Sequence, residues 1–125
     1  MQDYTKLKVW KKAHAVTLEV YTISKDFPRE ELYGLTSQLR RAIASVPMNL
    51  AEGCGRSTSA DTARFFDVAF GSANEAEYQL LLARDLDYIG IEPYRKLSAD
   101  IAEVKRMLAA LIKKLRTDDF PNHHP

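Results

Sequence analysis

Cysteine is nearly absent from this chain. Cys54 is the only one, so no intramolecular disulfide forms and the usual staple of small secreted domains is missing. A reducing cytoplasm is the expected setting. Long apolar runs are lacking too: none approaches the roughly 18 residues a membrane span needs, and the opening Met1-Gln2-Asp3-Tyr4-Thr5-Lys6 is polar. Neither export nor membrane insertion is predicted. Nor is there a marked excess of either charge. Eighteen Lys and Arg face 17 Asp and Glu, a formal net charge of +1, so any attraction to nucleic acid has to come from local patches.

Several chemical signatures are also missing. A di-iron bundle would place Glu-x-x-His pairs on facing helices, and no Glu-x-x-His occurs. Gly53-Cys54-Gly55-Arg56-Ser57 lacks the Gly-Lys-Ser/Thr ending of a phosphate-binding loop, and no strand precedes it. It reads as a helix stop, a tight turn and a new N-terminus, where free N–H groups and Arg56 could hold an anion. Cys54 has no neighbouring His to activate it. The chain shows no internal repeat, no low-complexity segment and no strand pattern.

What is present suits one helical core. The chain has 125 residues, 46% hydrophobic and 28% charged, enough for a single domain. From Leu7 to Lys25 two apolar stripes run side by side, Leu7-Trp10-His14-Thr17-Tyr21 and Val9-Ala13-Val16-Val20-Ile23, until Phe27-Pro28 ends the helix. His14 is expected to be partly buried and hydrogen-bonded to a bundle partner. A second helix is predicted from near Glu31 to Gly53, with Leu35, Leu39, Ile43, Val46 and Leu50 on one face. Pro47 inside it predicts a kink or a local break, with Ser45 and Asn49 serving the freed groups.

Thr58 and Asp61 match a capping pattern for the third helix. That helix carries Phe65, Phe66, Ala69, Phe70, Ala73, Ala76, Leu80 and Ala83, and is expected to end near Gly90 as its cap. Gly71, Ser72 and Ala73 are small enough for a close neighbour. Pro93 suits the first turn of the fourth helix. Tyr94, Leu97, Ile101, Val104, Leu108, Leu111 and Leu115 then alternate steps of three and four. Short connections favour antiparallel neighbours. The expected fold is all-α: a single-domain, antiparallel up-down-up-down four-helix bundle over residues 1–117. Residues 118–125 are expected to form a disordered tail with solvated His123 and His124.

Asn49, Glu52, Ser72 and Glu75 read as a polar layer or interface that fixes helix register, with Arg40 or Arg41 as a charge partner. Basic residues gather on the first, second and fourth helices, while the third is acidic. Either these are solvated faces and intersubunit ion pairs, or oligomerisation repeats them into a phosphate-binding surface. Arg40, Arg41, Arg56, Lys105 and Lys113 are the candidate nucleic-acid contacts. No catalytic residue, metal site or cofactor is expected.

The run Tyr33-Gly34-Leu35-Thr36-Ser37-Gln38-Leu39-Arg40-Arg41-Ala42, followed by Ser45-Val46-Pro47-Met48-Asn49-Leu50-Ala51-Glu52-Gly53, resembles the bacterial four-helix-bundle family of 23S rRNA intervening sequence proteins. Leu7 to Ala13, Phe27-Pro28, Gly55-Arg56, Phe65 to Ala69, Gly71-Ser72 and Glu75-Ala76-Glu77 fall in the same order. The resemblance implies a bundle encoded within intervening sequences of 23S rRNA genes, with no established enzymatic activity, whose similar proteins form homopentamers. A more distant similarity is to the accessory variability determinant of diversity-generating retroelements, a basic pentamer that binds nucleic acid and a reverse transcriptase. That is a likeness of fold, and this chain departs from it in being near neutral. The resemblance implies a non-enzymatic, homopentameric accessory protein that binds RNA or DNA. The alternative is a scaffold that binds itself or another protein and no nucleic acid.

Overall fold

Apolar residues recurring at three- and four-residue steps form four helices, α1 (Lys8–Ile23), α2 (Leu35–Cys54), α3 (Ser59–Asp85) and α4 (Ile91–Asn122). The computed structural model of the protein describes residues 2–122, with no strand among them. Each helix packs on its sequence neighbours, and α1 closes the ring against α4. This is the up-down-up-down arrangement that short connections enforce.

The core follows the stripes closely on α2, where Leu35, Leu39, Ile43, Val46 and Leu50 are all buried. On α1 the valine stripe points inward, with Val9, Ala13, Val16, Thr17 and Val20 buried. The aromatic stripe lies to the side. His14 is exposed, contrary to expectation, and stacks on Trp10 at 4.9 Å. On α3 the inward residues are largely alanines, Ala63, Ala69, Ala73, Ala76 and Ala83, which let neighbouring backbones come close. Phe65 and Phe70 stay half-buried beneath cations, with Arg56 and Arg64 over the first ring and Lys105 over the second. On α4 the seam leaves the predicted path after Leu108, and Ile112 is buried while Leu111 and Leu115 are only half-buried. A 3.6-residue helix drifts relative to a strict seven-residue repeat.

Helix ends account for most departures from the sequence reading. The second helix starts later than Glu31, because Glu31 closes a 3-10 turn, Arg29–Glu31, and then caps α2 with its side chain. Glu31 Oε1 accepts the Leu35 N–H at 3.0 Å. Thr58 caps α3 as the pattern predicts, its hydroxyl accepting the Asp61 N–H at 3.1 Å. At the other end of α3 the cap is Asp87 rather than Gly90. Asp87 has φ 62°, the one non-glycine residue with positive φ among those described. Its N–H donates to Arg84 O at 2.9 Å and the Tyr88 N–H donates to Ala83 O at 2.8 Å, the paired bonds of a Schellman ending. Gly90 instead precedes α4, its carbonyl accepting the Tyr94 N–H.

An aspartate in the left-handed region, at the negative end of a helix dipole, is a poor choice on both counts. Asp87→Gly is therefore expected to raise stability by about 0.5–1 kcal/mol. Urea unfolding reads this directly, and a lowered midpoint would mean that the carboxylate makes a compensating interaction.

Three further expectations are revised in whole or in part. Of the two outcomes expected at Pro47 the local break does not occur, since the helix is continuous from Leu35 to Cys54, and the freed group does not rely on Ser45 and Asn49. The missing Pro47 N–H leaves the Ile43 carbonyl free, and Thr17 on α1 donates its hydroxyl there at 3.3 Å, shared with Ala13 O at 2.8 Å. Close approach of α2 and α3 occurs at Gly53, where an added Cβ would lie 2.8 Å from the Phe66 ring. Of Gly71, Ser72 and Ala73, Ala73 is buried and Ser72 bonds Ser45 of α2 at 2.8 Å, while Gly71 faces open space. At the C-terminus α4 continues to Asn122, taking in residues 118–122 of the segment expected to be a disordered tail. Nothing before Pro121 breaks the helix, and propagation adds a hydrogen bond per residue. Residues 123–125, with His123 and His124, lie outside the described residues.

Candidate nucleic-acid interface

Half of the 18 cations of this chain are matched by acids. Lys12 pairs with Asp100, Lys96 with Glu19 and Asp100, Arg64 with Asp61, Arg84 with Asp85, and Arg95 with Glu92. Arg106 pairs with Glu103 and Arg116 with Asp67. Two of the five candidate contacts are matched in the same way. Arg56 is bound by Glu52, with Asp61 at 3.9 Å, and lies over Phe65. Lys105 holds Glu77 at 3.0 Å over the Phe70 ring. Lys113 is exposed far along α4, away from the α1–α2 turn in the chain, and pairs with no described carboxylate. The five residues do not form one surface.

Arg40 and Arg41 do lie together on α2, with different duties. Arg40 is half-buried; its Nε donates to Ser24 Oγ at 2.8 Å and an Nη to Tyr21 O at 3.4 Å, while the guanidinium sits 5.1 Å from the Tyr21 ring. It ties the end of α1 to α2 with part of its donor set. Arg41 is exposed and pairs with no described carboxylate.

Two open grooves meet at Arg40 and Leu32. The smaller, about 180 Å³, lies at the α1–α2 connection between Ser24, Lys25, Phe27, Pro28, Arg29 and Thr36. The larger, about 630 Å³, runs along the outer side of α2 past Tyr21, Tyr33, Ser37, Arg41, Ala44 and Met48. No carboxylate lines either one. Of the acids at this connection Glu31 is engaged elsewhere, its Oε2 accepting the Tyr88 hydroxyl at 2.8 Å, while Asp26 and Glu30 are exposed and line neither groove. The Leu35 N–H, and then the Tyr88 hydroxyl, hold the Glu31 carboxyl below the usual carboxylate value. Glu31 raises the Tyr88 phenol in turn. The groove linings themselves therefore carry cations and no carboxylate, although the molecule is near neutral.

The proposed polar layer is only partly assembled. Ser72 Oγ donates to Ser45 Oγ at 2.8 Å, and Asn49 Nδ2 donates to Ser45 O and Oγ at 2.9 Å each. Glu52 turns to Arg56. Glu75 is exposed on the rim of a groove of about 300 Å³ between α2 and α3, whose lining also includes Arg41 and Ser72. Cys54 is buried, and burial raises its thiol pKa, the opposite of nucleophile activation. Among the described residues no three His, Cys, Asp or Glu side chains gather as metal ligands. No described helix is long and apolar enough to cross a membrane.

The model of the 23S rRNA-intervening sequence proteins matches residues 5–110. The chain belongs to this family. The match spans α1, α2, α3 and most of α4, and includes both grooves. A solved relative agrees: a Bacteroides thetaiotaomicron VPI-5482 protein of unknown function from the S23 ribosomal protein family, with TM-score 0.76 and 25% identity. The alignment covers 84% of this chain and 98% of that one. No curated protein matches.

Within this member of the family, Lys25, Arg29, Tyr21 and Tyr33 are the residues that sequence reasoning passes over. Lys25 and Arg29 flank Phe27-Pro28, which in sequence reads only as a helix stop. Two cations bracketing a turn, with an aromatic residue just before Gly34, are the available signal.

Proposed function

We propose that this chain is a non-enzymatic, homo-oligomeric, RNA- or DNA-binding accessory protein of the cytoplasm, five copies forming the working unit. The observation that carries the binding reading is the carboxylate-free groove pair, where Lys25, Arg29, Arg40 and Arg41 are matched by no described acid. Phosphates are the natural counterions for such a surface, and several copies in a ring multiply its avidity. Self-assembly is supported by large apolar side chains exposed on diagonal helices, Leu18 on α1 and Val68 and Tyr78 on α3. Patches on different sides of a protomer suit a head-to-tail contact, the kind that closes into a ring. The number five comes from the family resemblance.

Light scattering of the purified protein is expected to give five times the 14.2 kDa mass of the chain, with binding to structured RNA or DNA that weakens as salt rises. Arg29→Ala with Arg41→Ala should abolish binding and leave assembly intact. Arg40 is spared in this variant because it anchors α1. Loss of assembly would favour the scaffold, and absence of salt-dependent binding would end the nucleic-acid reading.

A further inference from the structure

Tyr33 is 92% exposed. Such a ring contributes little to the fold, and it stands in the turn before α2, lining the cationic groove with Met48 of α2, 61% exposed. Tyr21 forms a second ring in the groove, with Arg40 over its face. At the adjoining end, Thr36 lies in the first turn of α2 and lines the smaller groove. Thr36 is 2% exposed, and its hydroxyl has no hydrogen-bond partner. A buried hydroxyl without a partner is costly, and here it neighbours Lys25, Arg29 and Arg40 at the positive end of a helix dipole.

Resting on the nucleic-acid reading above, we propose that the two grooves form one track for an unpaired nucleic-acid strand, with bases stacking on Tyr33 and Tyr21. Phosphates sit against Arg41 and against the seat made by Lys25, Arg29 and the Thr36 hydroxyl. Rings interleaved with cations serve a single strand, because every unpaired base offers a π-face. A duplex keeps its bases stacked on each other and presents phosphate and groove edges, for which an exposed tyrosine does little. The chemistry is shared by RNA and DNA, and a 2′-hydroxyl preference is read by comparing the two.

The test is fluorescence anisotropy of the full chain with labelled oligouridylate and oligothymidylate, on the order of ten nucleotides, against a hairpin duplex of similar length. The expected result is tighter binding of the single strands. Tyr33→Ala should weaken that binding about tenfold, while Tyr33→Phe restores it and hairpin binding stays unchanged. The melting temperature of Tyr33→Ala should match the parent, because the ring is exposed. Equal binding of hairpin and single strand with no effect of Tyr33→Ala would overturn the track and leave nucleic-acid binding standing. Failure to bind any of the probes would remove both.

Discussion

Gly53→Ala is expected to destabilise the bundle by about 1–3 kcal/mol, as overpacking does in a closely fitted core. The added Cβ would lie 2.8 and 2.9 Å from two carbons of the Phe66 ring and 3.2 Å from Phe65 Cβ. Phe66 is buried and cannot swing into solvent. Relief requires α2 and α3 to separate at the turn that joins them. That separation would also strain two contacts of the Gly53 carbonyl, which accepts the Thr62 hydroxyl at 2.9 Å and the Arg56 N–H at 3.1 Å. Helix propensity favours alanine over glycine by about 1 kcal/mol, so the measured loss is the clash less this gain. Thermal melting reads it, at roughly 3–6 °C per kcal/mol for a chain of this size. An unchanged or higher midpoint would mean that Phe66 can repack without cost. Gly71→Ala is the control, since nothing lies within 4 Å of the added atom.

Thr17→Val should cost about 1–3 kcal/mol, the range for leaving a buried acceptor unserved. The two side chains have nearly the same shape, so packing is preserved and the hydroxyl alone is lost. What it serves is the Ile43 carbonyl, which Pro47 cannot reach because proline has no N–H. The dependence on Pro47 makes the idea specific. In a Pro47→Ala background, the alanine N–H supplies the intrahelical bond to Ile43 O, and Thr17→Val should then cost less. A double-mutant cycle in urea is expected to show coupling of about 0.5–1 kcal/mol. Strict additivity would mean that the Thr17 hydroxyl serves only its own helix through Ala13 O, 2.8 Å away.

Both variants turn on contacts that periodicity does not encode. The α2 stripe was legible residue for residue, because a half-buried helix must repeat its apolar side every three or four positions. The Thr58 cap was legible for a similar reason: it lies within one turn of the N–H it serves. On α1 the same rule allowed two stripes, and only packing chose the valines, whose compact side chains let the helix close on α2 and α4. The Asp87 ending was hidden because a glycine three residues later looked like the better cap.

The candidate site was half legible. Arg40 and Arg41 stood out because a guanidinium is rarely buried without a partner. Arg56 shared that look and Lys105 stood among the basic residues of the fourth helix, yet nearby carboxylates match them: Glu52 one helical turn from Arg56, and Glu77 across the α3–α4 contact from Lys105. Lys25 and Arg29 were hidden because acids stand beside them in the chain, and only the structure shows that Glu31 turns away from them. Glu31 spends its carboxylate on Leu35 and Tyr88, a partner distant in the chain.

The sequence by itself determined that the described chain makes four helices and a single core, and which residues of α2 line it, since the period of apolar residues is a local property. It also carried the ordered motif of the family to which the chain belongs. The tertiary structure alone decided how each helix is rotated about its axis, and so which polar groups meet. Thr17 reaching Ile43, Glu31 reaching Tyr88 and the cations left unmatched at the α1–α2 connection all depend on that rotation. Contacts between residues distant in the chain are set by how whole helices fit together, and local spacing holds no record of them.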